Sequence, residues 1–247
     1  MSDGQSLTFG SLFAGIGGFD LGFERAGMVC KWQVEIDDYA NRVLAKHWPA
    51  VHRERDIRQC GAHNLQPVDV VCGGFPCQDI SYAGLGAGLE GERSGLFFEA
   101  VRVVRELQPR VVVLENVAAL LTRGLDRVLG TLAAIGYDAE WDCIFAAQFG
   151  NHHLRERMFI TAYHTDAKRL RRQRRGKVAK TAETWSNEQF TRLLSAVVES
   201  GVPAGHSGGI SDGIPSRVDR LRGLGNAVVP QVAEWIGRRI VEQQGEI

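Results

Sequence analysis

Near its start the chain carries the segment 7-LTFGSLFAGIGGFDLGFERAG-27, in which an apolar run passes through a glycine-rich turn into a helical pattern. The run Leu7–Phe13 predicts a strand, and Phe19–Ala26 predicts the helix that follows it. Glycines between a strand and a helix let the backbone approach a ligand closely, as in the nucleotide-binding turns of doubly wound sheets. The segment therefore predicts an α/β fold, with either a nucleoside-like ligand or only a tight turn at these glycines.

Two carboxylates near the turn indicate the chemistry of such a ligand. Asp20 occupies the sixth position counted from Gly15, where the dinucleotide-binding pattern GxGxxG requires glycine. A carboxylate in the first helical turn would repel a pyrophosphate, so it favours a ligand without phosphate and with a cationic part, such as S-adenosylmethionine. Glu35 ends the next predicted strand about 20 residues further on, where an acid can accept hydrogen bonds from ribose hydroxyls.

Strands and helices alternate along most of the chain, which predicts a doubly wound, mostly parallel sheet with helices on both faces. Between about residues 165 and 218 the periodicity fails, except at a predicted helix Asn187–Val198. We therefore expect an α/β domain over residues 1–164, a small irregular insert over 165–218, and a C-terminal segment over 219–247 that packs back on the domain. The further predicted strands are Val29–Ile36, Val68–Cys72, Val111–Leu114, Tyr137–Phe145 and Arg157–Tyr163, and the further helices are Asp38–His47, Gly95–Leu107, Leu125–Ile135 and Asn226–Val241.

The composition is that of a globular protein large enough for a complete core, with 247 residues of which 44% are hydrophobic. It excludes disordered, collagen-like and coiled-coil chains. No apolar run approaches the roughly 18 residues of a membrane span, and the first residues do not form a secretory signal. The five cysteines are odd in number and lack CxxC spacing, which predicts a cytoplasmic protein without a disulfide or zinc framework.

The charge is unevenly distributed, although 29 basic and 29 acidic residues give a formal net charge of zero. The decamer Lys168–Lys177, KRLRRQRRGK, holds seven of the cations, so 22 basic residues face 29 acidic ones in the rest of the chain. A run of like charges is either a solvated loop or a patch that contacts DNA phosphates and releases counterions. Charge alone leaves both interpretations open.

A cysteine lies at a place where open α/β sheets carry their chemistry. Cys77 follows the carboxyl end of a predicted buried strand, directly after Pro76, and is a candidate nucleophile. Cys72, within the same strand, is predicted to be a core residue because free cysteines are often buried. The glycine-rich stretch Tyr82–Gly91 is either a loose surface loop or a lid that closes over a substrate.

A carboxylate and two arginines are further candidates. Glu115 ends the apolar run Val111–Leu114, where a carboxylate is costly unless it is paired or functional. Such a group favours its protonated form and can donate or return a proton. Arg155 and Arg157 lead into the next predicted strand, either as solvated edge residues or as donors for a base carbonyl or a phosphate.

Taken together and in order, these blocks resemble the C5-cytosine DNA methyltransferases. FPCQ, ENV and RERxF in that order are highly specific, and the similarity spans nearly the whole chain except about residues 165–218. The matching blocks are Leu12–Phe19, Val34–Asp37, Arg55–Ile57, Gly73–Ser81, Glu92–Glu99, Glu115–Val117, His152–Ile160 and Leu224–Ile236.

The resemblance implies methyl transfer from S-adenosylmethionine to C5 of a cytosine in duplex DNA. It implies that the Cys77 thiolate adds to C6 of the base, and that Glu115 holds the exocyclic amine and N3. It further implies that Arg157 binds the base O2 and that Arg155 supports the same pocket. Since this chemistry cannot occur inside a base stack, the cytosine must be flipped out of the duplex.

The resemblance also implies a cofactor site, a DNA surface and partners. It implies action on double-stranded DNA; we expect a monomer, and the sequence leaves open whether a cognate restriction endonuclease is a further partner. The expected DNA contacts are Ser81 and Gly84, together with Arg171, Arg172, Arg174 and Arg175 of the basic decamer. The implied cofactor residues are Phe13, Gly15, Gly17, Gly18, Glu35, Ile36, Asp56, Ile57, Phe75, Pro76, Leu96, Asn226 and Val228.

The chain departs from the family pattern at two places. His153 stands where the family usually has glutamine, and the target-reading insert of about 50 residues is short for the family. An alternative to an active enzyme is therefore a DNA-binding remnant with a truncated recognition region, although such a remnant would have no use for Cys77, Glu115 and Arg157. A nicotinamide oxidoreductase and an RNA methyltransferase are weaker alternatives, the first disfavoured by Asp20 and the second by the FPCQ motif.

Overall fold

The computed structural model describes residues 6–76, 95–149, 155–165 and 223–245. The predicted helix Asn187–Val198 and the stretch Tyr82–Gly91 lie outside these ranges. The strands of the described part are β1 Thr8–Leu12, β2 Val29–Val34, β3 His52–Glu54, β4 Val70–Gly74, β5 Val111–Val117, β6 Tyr137–Phe145 and β7 Glu156–His164. Its α-helices are α1 Gly18–Arg25, α2 Asp38–His47, α3 Gly95–Leu107, α4 Leu125–Ala134 and α5 Pro230–Gly245.

The strands form one sheet in the order β3-β2-β1-β4-β5-β7-β6. The pairs from β3 to β5 are all parallel, in the order expected of a doubly wound sheet, whereas β7 runs antiparallel to both β5 and β6. The predicted α/β fold with a mostly parallel sheet is therefore confirmed. Only ten residues separate β6 from β7, too few for the crossover that joins parallel strands, so the chain turns straight back.

Most predicted elements lie within two residues of their observed bounds, and three of them, including α2 and α3, coincide with the prediction. β4 begins at Val70 and runs through two glycines, whereas the sequence predicted Val68–Cys72. β5 continues through Glu115 to Val117 because β7 pairs with that whole length. The last helix begins at Pro230 rather than at Asn226, since proline suits the first turn of a helix. β3 was not predicted, because three polar residues carry no periodicity.

The sheet is covered on both faces, which is why its central strands are apolar throughout. Residues from α3 and α4 pack with Val71 and Val112 on one face, and residues from α1 and α5 pack with Val70 and Val113 on the other. Burying one side chain such as Phe23 on α1 contributes about 1.5–3 kcal/mol. No helix of the described part is long and apolar enough to span a membrane.

Helices α1 and α5 pack unusually closely, and this contact brings the C-terminal segment to the glycine turn. A Cβ added at Gly22 would lie 2.4 Å from the Cβ of Ala233 and 2.6 Å from the carbonyl oxygen of Pro230. The two helix backbones can approach this closely because Gly22 has no side chain. The contact places the start of α5 against α1.

Candidate functional site

The glycine turn between β1 and α1 contains positive φ angles, which glycine adopts readily. Gly15 and Gly17 have φ angles of 56° and 88°, and Phe13 has a φ angle of 51°. A Cβ at Gly17 would also lie 2.4 Å from the Trp48 ring. The Ala14 N–H donates to the Val34 carbonyl oxygen at 3.1 Å, which fixes the turn over the carboxyl ends of β1 and β2.

Glu35 links this turn to the start of α2. Its Oε2 accepts a hydrogen bond from the Gly15 N–H at 2.7 Å, and its Oε1 accepts one from the Asp37 N–H at 2.8 Å. Each carboxylate oxygen keeps a further lone pair that can accept from a hydroxyl. The neighbouring Ile36 side chain is 62% exposed, so it offers an apolar surface to a flat ring beside the carboxylate.

Asp56 and Ile57 lie in the short 3₁₀ helix after β3. The Asp56 carboxylate accepts from the Arg58 N–H at 3.1 Å and forms an ion pair of 2.9 Å with its guanidinium. Hydrogen bonding to Arg58 lowers the pKa of Asp56. The Ile57 side chain is buried in the core, so this residue can meet a ligand only through its main chain.

The strand that leads toward Cys77 ends in an anchored segment. The Asn116 amide donates to the Phe75 carbonyl oxygen at 3.0 Å and fixes the chain just before Pro76. The Phe75 ring is buried and packs on Phe97 with 5.0 Å between the ring centroids. Pro76 is exposed and Leu96 is half-buried.

Residues 223 and 228 of the C-terminal segment lie against the glycine turn. A Cβ at Gly18 would be 2.2 Å from the Val228 carbonyl oxygen, and one at Gly223 would be 3.2 Å from the Ile16 side chain. Val228 is buried at this contact, whereas Asn226 is exposed. Two distant parts of the sequence therefore form one wall of the candidate site.

Glu115 and Arg157 meet across β5 and β7. Glu115 pairs with Phe159, so Arg157, two residues earlier on β7, points to the same face of the sheet. The Arg157 Nε lies 3.0 Å from the Glu115 Oε1. The two groups form an ion pair. The pair is largely shielded from solvent, since the Glu115 side chain is 9% exposed and the Arg157 side chain is 24% exposed.

The Glu115 carboxylate is only partly satisfied. Its Oε1 is buried and has no well-aligned hydrogen-bond donor among the described residues. Burial raises the pKa of Glu115, and the nearby Arg157 and Arg155 oppose that rise. The group is thus held in an environment that favours a proton or a donor from a ligand.

Arg155 connects this pocket with the C-terminal segment. One of its terminal nitrogens donates to the Gly225 carbonyl oxygen, and its Nε is buried without a hydrogen-bond partner in the described part of the chain. Burial and the charge of Arg157 lower the pKa of Arg155, while Glu115 opposes that shift. Arg155 therefore lies between Glu115 and the wall formed by residues 223–228.

The two halves of the candidate site lie on the same edge of the sheet. One register row crosses four parallel strands at their carboxyl ends, which we call the carboxyl-end row: Val34, Leu12, Gly73 and Leu114. Glu35 and Glu115 each come one residue after this row. Three strand spacings of about 4.8 Å put β2 and β5 roughly 14 Å apart.

Some functional residues were not recognisable from the sequence. Gly74 faces the Glu115 carboxylate, since a Cβ there would lie 2.8 Å from Oε2. Asn116 belongs to the quoted ENV block, but only its neighbour Glu115 was given a role. Asp20 needs a correction: its carboxylate is fully buried, and Ser11, Cys30 and Gln33 donate to it, so it does not face the ligand side of the turn.

The remaining predicted site residues lie outside the described ranges. These are the candidate nucleophile Cys77 and the predicted DNA contacts Ser81, Gly84, Arg171, Arg172, Arg174 and Arg175. The described Cys72 is fully buried, as predicted, and its thiol donates to the Gly10 carbonyl oxygen at 3.6 Å.

Comparisons with known proteins agree with this arrangement. Residues 7–203 match the model of the family described as C-5 cytosine-specific DNA methylase. The Type II methyltransferase M.BsuFI of Bacillus subtilis is 36% identical over 170 residues, which are 66% of this chain and 41% of that protein. The Type II methyltransferase M.Eco47II of Escherichia coli is 40% identical over 164 residues, covering 63% of this chain and 39% of that protein.

The structural comparison extends the similarity in fold to nearly the whole chain. The crystal structure of the S. pombe Dnmt2 methyltransferase matches with a TM-score of 0.63 and 15% identity, covering 98% of this chain and 99% of that one. The chain spans about half or less of the length of the curated relatives that it matches first.

Proposed function

Because the chain belongs to the C-5 cytosine-specific DNA methylase family, we propose that it transfers a methyl group from S-adenosylmethionine to C5 of a cytosine in duplex DNA. The observation that carries the proposal is Glu115, a buried carboxylate with an unsatisfied Oε1 beside Arg157. It lies on the same sheet edge as the glycine turn, where open α/β sheets bind their ligands.

The cofactor half fits an adenosine. Glu35 has free lone pairs for two ribose hydroxyls, and the exposed Ile36 side chain can cover one face of the adenine. Bound S-adenosylmethionine supplies the electrophilic methyl group. The residues proposed to hold it are Phe13, Gly15, Gly17, Gly18, Glu35, Ile36, Asp56, Ile57, Phe75, Pro76, Leu96, Asn226 and Val228.

The base half fits the Watson–Crick edge of a flipped cytosine. The unsatisfied Oε1 of Glu115 can accept from the exocyclic amine, and its raised pKa favours a proton that can be shared with N3. Arg157 is proposed to donate to O2 of the base, and Arg155 to support the pocket from the side of the C-terminal segment. Both interactions withdraw electrons from C6 and prepare it for a nucleophile.

Cys77 is proposed to be that nucleophile. Its thiolate forms a bond to C6, which makes C5 electron-rich enough to take the methyl group. Loss of the proton at C5 and cleavage of the sulfur–C6 bond then release the methylated base and the thiolate. Asn116 supports this role because it anchors the Phe75 carbonyl two residues before the nucleophile.

DNA recognition is proposed to lie in residues 165–218, between the α/β domain over 1–164 and the C-terminal segment over 219–247. The arginines at 171, 172, 174 and 175 would contact phosphates, and Ser81 and Gly84 would contact the DNA around the flipped base. A partner endonuclease is supported by the Type II names of the relatives. A monomeric state and a cytoplasmic location stay predictions.

Methyl transfer by the purified chain tests the proposal. The protein is incubated with duplex DNA and S-adenosylmethionine carrying a deuterated methyl group, and the DNA is digested and analysed by mass spectrometry. We expect labelled 5-methyldeoxycytidine from the wild-type chain and none from Cys77→Ser. A chain that binds S-adenosylmethionine but labels only RNA, or no nucleic acid, would contradict the proposal.

A further inference from the structure

Asp20 is a buried carboxylate with no cation in direct contact with it among the described residues. It lies in the first turn of α1, three residues after Gly17, and is 0% exposed. Its partners are neutral donors from two strands: the Ser11 hydroxyl at 3.2 Å, the Cys30 thiol at 3.5 Å and the Gln33 amide at 2.8 Å. A buried carboxylate is costly, so its presence beneath the glycine turn calls for a reason other than packing.

A chain of hydrogen bonds leads from Asp20 back to the turn. The Gln33 amide nitrogen donates to Asp20, and its Oε1 accepts from Arg53 Nη1 at 3.2 Å. The same Arg53 nitrogen donates to the Trp48 carbonyl oxygen at 2.7 Å. The Trp48 ring lies directly against Gly17, so the hydrogen-bond chain begins in α1 and ends at a residue that contacts the glycine turn.

The turn rests on a small separate hydrophobic cluster. Ala14, Leu44 and Trp48 form this cluster, with Val51 packed against it. Val51 also packs against one of the two large cores and so joins the small cluster to it. The Trp48 carbonyl oxygen accepts two hydrogen bonds, from the Val51 N–H at 3.2 Å and from Arg53 at 2.7 Å. The shorter of the two, from Arg53, ties the position of Trp48 under the turn to Gln33 and Asp20.

We propose that Asp20 is a positioning residue for the cofactor turn, which it holds against Trp48 through Gln33 and Arg53. The inference rests on the proposed binding of S-adenosylmethionine at this turn. The Gly15 N–H must reach Glu35 for that carboxylate to be oriented, and a turn displaced from Trp48 would misplace both groups. Preorganisation of this kind determines the affinity of a site without touching the ligand.

The test is the affinity of purified variants for S-adenosylmethionine and for S-adenosylhomocysteine, measured by titration calorimetry. Asp20→Ala removes the acceptor of the Gln33 amide nitrogen, so Gln33 loses the contact that orients it toward Arg53. We expect the Kd for both ligands to rise about tenfold, with kcat at saturating S-adenosylmethionine within about twofold of the wild type. Wild-type chain that binds neither ligand would refute the proposed function, not this inference.

The second ligand separates positioning from attraction of the positive sulfonium. S-adenosylhomocysteine lacks the sulfonium, so a carboxylate that acts through its charge on that group would leave this ligand's affinity unchanged. Equal losses for the two ligands support positioning, and a loss confined to S-adenosylmethionine overturns it. An unchanged affinity for both ligands in folded Asp20→Ala also overturns it.

A conservative variant tests the hydrogen-bond chain itself. In Asp20→Asn the amide oxygen can still accept from Gln33, and the Ser11 hydroxyl can accept from the new amide nitrogen. We expect Asp20→Asn to keep most of the affinity that Asp20→Ala loses, whereas an equal loss in both variants would mean that the hydrogen-bond chain does not transmit the effect. If Asp20→Ala does not fold, Arg53→Gln interrupts the same hydrogen-bond chain at its half-buried end and must weaken both ligands equally.

Asp69→Asn is the matched control. Asp69 accepts from the Thr8 N–H at 2.9 Å and from its hydroxyl at 2.8 Å, at the end of β1 away from the turn. This variant should lower the melting temperature without changing the Kd for either ligand. A rise in Kd similar to that of Asp20→Ala would show that any loosening of β1 weakens binding, and the positioning role would be refuted.

Discussion

Glu35 and Glu115 lie at equivalent places in the sheet, each one residue after the carboxyl-end row, yet their surroundings differ in kind. Both are buried, with 9% and 7% exposure. Glu35 accepts hydrogen bonds from two backbone N–H groups, at 2.7 and 2.8 Å. Glu115 has the charge of Arg157 at 3.0 Å, but its Oε1 lacks a well-aligned donor in the described part of the chain.

The difference fits the proposed division of the site into a half that binds the cofactor and a half that holds the reacting base. A carboxylate held by two main-chain donors is fixed and remains an acceptor, which suits the neutral hydroxyls of a ribose. A carboxylate with a raised pKa, whose buried Oε1 has an ion-pair partner but no well-aligned hydrogen-bond donor among the described residues, can take a proton or a new donor, which suits a reacting base. Changes in the base half should therefore lower kcat, and changes in the cofactor half should weaken cofactor binding.

The largest effect is expected for Cys77→Ser, in the base half. Removal of the proposed nucleophile should lower methyl transfer at least about 10⁴-fold, because an alcohol does not ionise near neutral pH. The Kd for S-adenosylmethionine, measured by calorimetry, should stay within about twofold. Methylation that persists in this variant would refute the covalent route.

Glu115→Gln should lower kcat about 10²- to 10³-fold, since an amide cannot supply the proton to N3. Its affinity for S-adenosylmethionine should be unchanged, because the side chain belongs only to the base half. Single-turnover kinetics with a saturating cofactor measure the effect on chemistry directly. A loss in cofactor affinity as large as the loss in kcat would contradict the assignment of Glu115 to the base half and Glu35 to the cofactor half.

Asp20, the third buried carboxylate, should appear in the pH dependence of stability. Burial raises its pKa from the usual 3.8 to about 6, so the folded state holds this proton more tightly than the unfolded state. Stability from this group is complete below pH 4 and is lost as the pH rises to about 6, by about 3 kcal/mol in total. The titratable groups around it are the thiols of Cys30 and Cys72, whose pKa values burial raises well above neutrality.

Urea unfolding of the wild type and of Asp20→Asn between pH 4 and pH 7.5 measures this contribution. The difference in free energy of unfolding between the two proteins should shift in favour of the variant as the pH rises. A difference that stays constant across this range would show that Asp20 ionises in the folded state as it does in the unfolded chain.

Glu35→Gln should raise the Kd for S-adenosylmethionine about tenfold, because its amide group turns a donor toward one of the two backbone N–H groups. At saturating cofactor, kcat should fall no more than about twofold. The pair of measurements mirrors those for Glu115→Gln. A large loss in kcat with normal binding would place Glu35 in the chemistry and contradict the comparison.

The smallest effect is expected for Gly74→Ala. The new Cβ would lie 2.8 Å from Glu115 Oε2, so the carboxylate must shift by a few tenths of an ångström, and we expect kcat to fall about fivefold. Gly130→Ala is the control, because a Cβ at that position on α4 meets no atom within 4 Å. Equal activity of the two variants would show that the fit around Glu115 is loose.

The fold was largely predictable because its signals are local. Apolar runs and glycines identified β1, β5 and the turn between β1 and α1 without tertiary information. The antiparallel β7 was not predictable from periodicity, since the direction of a strand depends on the length and course of the connection before it. The end of β5 was also not predictable from periodicity. Pairing with β7 extends this strand past the predicted end at Leu114.

The site was predictable where residue type reveals chemistry and not where it depends on neighbours. Glu35 and Glu115 were recognised from their places at strand ends. Asp20 was misinterpreted as facing the ligand, because the sequence does not show that Ser11 and Gln33 point at the same carboxylate. Asn116 was overlooked since its partner is a main-chain carbonyl 41 residues away.

The most direct test of the account is bisulfite sequencing of a plasmid from cells that express this chain. We predict that cytosines in one short sequence context resist conversion with the wild-type chain, and that none resist with Cys77→Ser at equal expression. The resistant context would also give the recognition sequence. Complete conversion of every cytosine in cells that hold folded, S-adenosylmethionine-binding wild-type protein would contradict the account.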